Sequence, residues 1–355
     1  MGRPILFAPV SGPGGSGEYY RCLAIARALS RRAPEHPVHF LLHREAAVER
    51  DPRCTYHLLD ASPTRATPAV IDHIQALRPA LAFYDAAGRM AQYRAVSQAG
   101  GKLVWLSNRP KKRRKGFRPR MLARIDMHLI AAPGQQAPRL GPWEQVKWRW
   151  CGKPEIRFFS TIAPEADPER QASLSRDYGL KAGEYLVFAA GGGGHFAAER
   201  PVPEILLDGA RRVRRETGLD CVVVMGPQYR GKIDHDDEVT VIPRLETSDL
   251  AALLSGARLA VTGAGWMMSS QVLSLGIPAI LVPAGGADQP ERIRRYQREG
   301  LAVAAALEPE AIASNAAELA NDSRRRRELV EGVHRAGIRN DTGTIAEALL
   351  ALIKD

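Results

Sequence analysis

Twice in this sequence an apolar run breaks into a cluster of glycines and then gives way to an amphipathic helix. The first copy runs from the strand candidate Pro4 to Val10, through Ser11-Gly12-Pro13-Gly14-Gly15-Ser16-Gly17, into a helix from Glu18 to about Arg31 whose apolar stripe includes Leu23, Ile25, Ala26 and Leu29. The second runs from Tyr185 to Ala190, through Gly191-Gly192-Gly193-Gly194-His195, into a helix near Val202 to Thr217. Small residues let the backbone approach a ligand closely, and the free amides at a helix start favour an anion. The chain has 355 residues and 45% hydrophobic content, enough for a core in each of two domains.

Around each copy, strands and helices alternate. In the first half Val38 to His43, Thr55 to Leu59, Ala80 to Tyr84 ending at Asp85, Lys102 to Ser107 and Met127 to Ala131 read as strands, with a helix at Val70 to Leu77. The last of these strands closes the first domain, and the connection falls between about 150 and 165, past the aromatic and basic Trp143 to Trp150, whose aromatic residues either pack or flank an acceptor, with packing the favoured reading. In the second half Cys221 to Met225, Val239 to Pro243, Arg258 to Thr262, Ala279 to Pro283 and Leu301 to Ala304 read as strands. The intervening helices are Asp249 to Ser255, Gln271 to Leu275 and Gln289 to Glu299. Such repetition predicts open parallel sheets with covered faces and ligand-facing loops beyond the strand ends. The expected fold class is α/β, with two Rossmann-like domains at 1–155 and 156–340 and a closing apolar helix in 341–355.

The 32 glycines and 25 prolines have no collagen-like period and read as turns. No apolar run approaches membrane-spanning length and no signal-like segment stands at the start, so the expected location is cytoplasmic. Cys22, Cys54, Cys151 and Cys221 are scattered singly and read as free thiols. A formal charge of +11 asks for an acidic partner. Arg109 to Arg120, RPKKRRKGFRPR, carries much of it without one carboxylate. The readings are a solvated loop, a contact for an acidic acceptor or an anionic membrane surface, and a nucleic-acid site. The last is disfavoured, because Phe117 is the only aromatic and no binding module surrounds it.

Four consecutive glycines ahead of a helix can cradle a phosphate or form a tight turn. The phosphate reading gains from two further loops after strands in the same half, Gly263-Ala264-Gly265 and Gly285-Gly286-Ala287-Asp288-Gln289. No GKS or GKT sequence marks an ATPase loop. At GGGGH, the Ile242 to Leu254 segment, TGAGWMMSSQVLSLGIPAILVP and GGADQPE, and more narrowly at GGSGEYYRCLAIARAL, the chain resembles the GT-B nucleotide-sugar glycosyltransferases, in particular their bacterial MurG-like branch.

The resemblance implies two domains facing across a cleft, a donor site mostly on the second, and no obligatory metal or cofactor beyond a nucleotide diphosphate-sugar co-substrate, UDP-linked. It implies that Gly192, Gly193 and Gly194, with Gly263 and Gly265, lie near the diphosphate, that the Leu245 loop meets the base, and that Asp288 and Gln289 meet the sugar hydroxyls. Gly15 and Gly17 belong to the first-domain loop. Ser269 and Ser270 can orient phosphate or cap their helix. Two positions depart from the pattern: Gln271 stands where glutamate commonly contacts ribose, and Glu18 stands where related enzymes often have histidine.

Those residues frame an inverting transfer to an acceptor hydroxyl or amine. Glu18 or Asp85 is the base candidate, and each has a structural alternative, Glu18 as a helix-starting carboxylate and Asp85 as a strand-end turn residue. His195 can contact phosphate or assist departure of the diphosphate, or simply be packed or face solvent, and Arg21 is either a cleft cation or a helix-surface residue. The competing readings are a nucleotide-sugar hydrolase, a nucleotide-sugar 2-epimerase on a related scaffold, and a nucleotide-sugar-binding protein without turnover.

Overall fold

The computed structural model describes residues 2–10, 17–46, 48–152 and 154–354. The chain divides into two compact units, one made of residues 1–162 and 341–355, the other of residues 163–340.

In unit 1 the elements run β1 (Ile5–Phe7), α1 (Gly17–Arg32), β2 (Val38–His43), β3 (Cys54–Leu59), α2 (Thr67–Leu77), β4 (Leu81–Asp85), α3 (Met90–Gln98) and β5 (Lys102–Ser107). They continue through α4 (Pro110–Gly116), α5 (Pro119–Leu122), β6 (Met127–Ala131), α6 (Pro142–Trp150) and β7 (Glu155–Phe159). Among the described residues these strands form one seven-stranded parallel sheet in the order β3-β2-β1-β4-β5-β6-β7. Side chains alternate between its faces: Ile5 and Phe7 join the layer of α1, while Leu6 joins the layer of Val70, Ile74 and Tyr93. Both faces are covered, so the central strands can be apolar throughout.

Unit 2 runs α7 (Pro168–Asp177), β8 (Tyr185–Ala189), β9 (Phe196–Ala197), β10 (Arg200–Pro201), α8 (Val202–Thr217), β11 (Asp220–Val224), β12 (Thr240–Ile242) and α9 (Thr247–Ser255). It continues with β13 (Leu259–Gly263), α10 (Trp266–Ser274), β14 (Ala279–Val282), α11 (Gln289–Arg298), β15 (Val303–Ala304), α12 (Pro309–Asn321) and α13 (Ser323–Arg335). Its parallel sheet has the order β12-β11-β8-β13-β14-β15. The chain then returns to unit 1 as α14 (Thr342–Lys354), which buries Ile345, Leu349 and Leu352 in the layer of α1. Asp341 fixes that return, accepting from the Ser160 amide at 2.5 Å while its own amide donates to the Thr161 carbonyl at 2.9 Å.

Three expectations need correction. The first unit does not close at Met127–Ala131 or at residue 155, because Glu155–Phe159 adds a further parallel strand beside β6. Arg109 to Arg120 is not a loop but two short helices, each with proline at its start, where proline's fixed φ suits a first turn. The aromatic residues of Trp143 to Trp150 are not all packed: that segment is the helix α6, with no buried residue, and Trp143 and Trp150 are 78% and 85% exposed.

Candidate active site

In both parallel sheets the strand order reverses after the third strand is laid. In unit 1 the chain moves from β1 outward to β2 and β3, then returns to place β4 on the other side of β1. At such a reversal the loops after neighbouring parallel strands diverge and leave a crevice beyond their carboxyl ends. Residues 11–16, Gly15 among them, lie outside the described residues, and Gly17 is the first residue of α1. Beyond it the crevice collects side chains. Arg21 Nε donates to Asp85 Oδ2 at 2.7 Å, with both side chains buried, and the Val10 amide donates to Glu18 Oε2 at 3.0 Å. Lys112 of α4 donates its Nζ to the Ala86 carbonyl at 2.7 Å. Ala86 itself has φ of 54°, a left-handed conformation uncommon for alanine, and that is how β4 stops at Asp85.

The two carboxyls differ. Burial, then the nearby Asp85 charge, pushes Glu18 up to about 7, against the Val10 amide, Arg21 and Lys112. Burial also raises Asp85, against the pull of Arg21, Lys112 and Arg109. Asp85 is wholly inaccessible, and its Oδ1 has no hydrogen-bond partner among the described residues. Burial opposes the charge of Arg21, but Asp85 more than offsets it, so the guanidinium stays charged. Asp85 is thus shaped to hold Arg21 and to raise the proton affinity of its neighbour. Glu18 is only half-buried and titrates near neutrality, where a general base works best.

In unit 2 the reversal lies between β8 and β13. Here the crevice is built from backbone. Gly193 has φ of 77°, and a Cβ there would sit 2.1 Å from the Met225 carbonyl oxygen, so the loop after β8 lies directly on the chain after β11. Gln228 secures it, donating its amide to the Gly192 carbonyl at 2.8 Å. The amides of Gly192, Gly193 and Gly194 have no acceptor among the described residues, and Gly192, Gly194 and His195 are exposed. Next to them, β13 ends at Gly263, and Gly265 caps α10, whose first amides have no preceding turn to bond. These two loops can offer an anion several donors at once.

The remaining predicted residues divide. His195 is exposed, with its ring against Gly285, where an added Cβ would meet it at 2.8 Å. Gln271 and Ser270 are buried in α10, and the Gln271 Nε2 has no partner among the described residues. Ser269 is fully buried and donates to the Gly265 carbonyl at 2.9 Å, so its hydroxyl braces the turn that opens α10. Gln289 is buried, and its Oε1 accepts from the Ala284 amide at 2.7 Å, whereas Asp288 is exposed and pairs with Arg292 at 2.5 Å. Leu245 packs half-buried against the core beneath the loop after β12. Among the described residues no group of three or more His, Cys, Asp or Glu side chains is arranged to hold a metal ion.

Sequence reasoning assigned no role to Lys112 or Arg292. Arg292 donates to the Ala264 carbonyl at 2.7 Å and lies over the Trp266 ring, which puts a cation beside the Gly263–Gly265 loop. Its place one turn after Asp288 on a predicted helix was the available signal. Lys112 was one basic residue among many, and only the fold singles it out.

No family model matches the chain. Over 155 residues it is 30% identical to the UDP-N-acetylglucosamine–N-acetylmuramyl-(pentapeptide) pyrophosphoryl-undecaprenol N-acetylglucosamine transferases of Mycobacterium tuberculosis and Mycobacterium bovis. The match takes in 41% of this chain and 37% of the length of those relatives. In structure it is similar to a spinosyn forosaminyltransferase, with a TM-score of 0.64 and 14% identity, and to Phytolacca americana UGT2 complexed with UDP-2fluoro-glucose and pterostilbene, with 0.65 and 12%. Each comparison covers 100% of both chains. A calicheamicin glycosyltransferase gives 0.59 at 17% identity over 100% of this chain and 99% of its own. The fold, two Rossmann-like α/β units, is that of the GT-B glycosyltransferases.

Proposed function

We propose that this chain is an inverting glycosyltransferase that takes a sugar from a nucleotide diphosphate-sugar and passes it to an acceptor hydroxyl or amine. The observation that carries the reading is Glu18, a half-buried carboxyl poised near pH 7 at the switch point of unit 1. Unit 2 supplies the complementary part, a loop pair whose unused amides suit a diphosphate. The donor named for the mycobacterial relatives and the ligand named for UGT2 are both UDP-linked, which favours UDP here. In this reading the Leu245 loop meets the base, Gln271 the ribose, and Asp288 and Gln289 the sugar.

Glu18 takes the proton of the acceptor O–H or N–H as that atom attacks the anomeric carbon. The bond from that carbon to the diphosphate breaks, and its electron pair leaves on the diphosphate oxygen. The amides of Gly192 to Gly194 and the Gly263–Gly265 turn bear the charge that develops there, with His195 at its edge. Asp85 acts through Arg21 and Glu18 as a positioning residue. The helices that carry Arg109–Arg120 present exposed cations, which suit an acidic acceptor or the anionic inner face of a membrane.

The test is to incubate the purified chain with a panel of nucleotide sugars and cell extract and to identify nucleotide and sugar-bearing products by mass spectrometry. Sugar joined to an acceptor, lost in Glu18→Gln, supports transfer. Free sugar released in step with nucleotide diphosphate, with no acceptor product, replaces it by hydrolysis.

A further inference from the structure

Helix α11 carries Arg292, Arg294, Arg295 and Arg298. Arg294 and Arg298 are exposed, whereas the side chain of Arg292 is only 12% exposed. Its Nη1 donates to the Ala264 carbonyl at 2.7 Å, its Nη2 donates to Asp288 Oδ2 at 2.5 Å, and the guanidinium lies over the Trp266 ring, 5.9 Å from the centroid. A carbonyl, a carboxylate and an aromatic face thus fix one cation at the turn between β13 and α10. Those two bonds use two of the five N–H groups of a guanidinium, and the others have no acceptor among the described residues.

A structural pin between α11 and this turn does not need the charge. A neutral donor would hold the Ala264 carbonyl, and a pair with Asp288, one turn earlier and 67% exposed, is worth little in water. Against that small gain the guanidinium gives up most of its hydration. A phosphate in front of the turn offsets the cost, because a planar guanidinium meets phosphate oxygens in pairs. The turn is also open: a Cβ added to Gly265 would meet no atom within 4 Å, and the first amides of α10 start there. Asp288 and Gln289 face the sugar in the proposed reading, so the phosphate beside Arg292 is the one that carries it.

We propose that Arg292 is the cation of the donor site, a catalytic residue whose free N–H groups bond the sugar-bearing phosphate and stay on it as the diphosphate leaves. It transfers no proton. The electron pair of the broken sugar–oxygen bond goes to the phosphate oxygen, and the fixed positive charge faces it there. Asp288 and Trp266 act through Arg292 as positioning residues. This rests on the reading of unit 2 as a nucleotide diphosphate-sugar site, and adds to its backbone amides the one side-chain charge that the leaving group meets.

The full chain is titrated calorimetrically with uridine, UMP and UDP, and with the matching thymidine and guanosine series so that the choice of base does not decide the outcome. Wild type is expected to bind the diphosphate more tightly than the monophosphate. In Arg292→Gln that preference should shrink about tenfold or more, with nucleoside affinity unchanged, and kcat with a nucleotide sugar should fall about 10²–10³-fold. Arg292→Lys keeps a charge but not the planar fork, so its preference should lie between the two, and it decides the matter where the glutamine variant does not fold. If the lysine variant and any folded glutamine variant keep the full preference, or weaken nucleoside, monophosphate and diphosphate by one common factor, Arg292 is only a pin and the proposal falls. A lost preference with kcat intact removes its part in departure. If wild type binds no diphosphate more tightly than its nucleoside, the reading of unit 2 as a diphosphate site falls, and this proposal with it.

Discussion

The two switch points sit at equivalent places in their sheets and are furnished in opposite ways. Unit 1 gathers ionisable side chains at the end of β4 and the start of α1: Glu18, Arg21, Asp85 and Lys112. Unit 2 removes side chains from the same place and leaves the bare amides of Gly192 to Gly194, lying on the Met225 backbone. Moving a proton needs a group whose affinity can be tuned, and burial with neighbouring charge tunes Glu18. Holding a diphosphate needs several fixed donors in a small space, which backbone supplies without a flexible side chain. Under the proposed function, the division of labour follows the kind of atom that each crevice exposes.

Glu18→Gln is the sharpest way to break the comparison. It removes the proton acceptor and leaves the amide cradle untouched, so kcat should fall about 10²–10⁴-fold, the usual contribution of a general base, with UDP affinity unchanged. Isothermal titration alongside the rate assay checks both. A variant that weakened UDP binding as much as turnover would place Glu18 with the donor instead.

Asp85→Asn should cost about 3–5 kcal/mol of stability, because it leaves the buried Arg21 charge without its partner. Its second effect separates positioning from bulk structure. With the Asp85 charge gone, the repulsion that raises Glu18 disappears while Arg21 still lowers it, so the midpoint of the pH–rate profile should move from about 7 toward acid. A merely structural Asp85 would lower stability and leave that midpoint in place.

Gly193→Ala probes the other crevice. The left-handed φ and the 2.1 Å approach to the Met225 carbonyl mean that a methyl group must push two backbone segments apart. The expected loss is more than about 1 kcal/mol of stability, with weaker UDP binding. Gly192→Ala meets only the end of the Gln228 side chain, at 3.2 Å, and should be the milder of the pair in thermal melts.

How far this was readable from sequence follows the same contrast. The strands that feed the two glycine clusters, β1 and β8, lie where the sequence places them, and the Gly191–Gly194 loop follows β8 as expected, whereas the first cluster lies largely outside the described residues. The strand β7 escaped because, as an edge strand, Glu155, Ile156, Arg157 and Phe158 need no deep burial and carry no continuous apolar run. The Arg21–Asp85 pair joins residues 64 apart, a contact set by the β1–β4 reversal and not by any local pattern. Arg109 to Arg120 looked like a loop for its charge, yet Lys and Arg are good helix formers, and Arg113, Lys112 and Lys115 each have a tertiary partner that composition cannot announce.

The smallest expected effect tests whether the tuning of Glu18 is intrinsic to the fold. Its folded-state proton affinity lies above the ordinary 4.5, so the folded chain binds a proton there that the unfolded chain has released. Stability from this source is complete below about pH 4.5 and is lost as pH rises through about 7. Glu18→Gln does not titrate, so its melting temperature relative to wild type should climb between about pH 5 and pH 8, with no substrate present. Over the same range turnover by wild type should rise, because the ionised carboxyl is the base. One ionisation thus has opposite signs for stability and for catalysis, the expected mark of a group held where it works and not where it is most comfortable. A difference in melting temperature that stays flat with pH would mean that Glu18 keeps its ordinary affinity, and the charge-built half of the comparison would lose its central member.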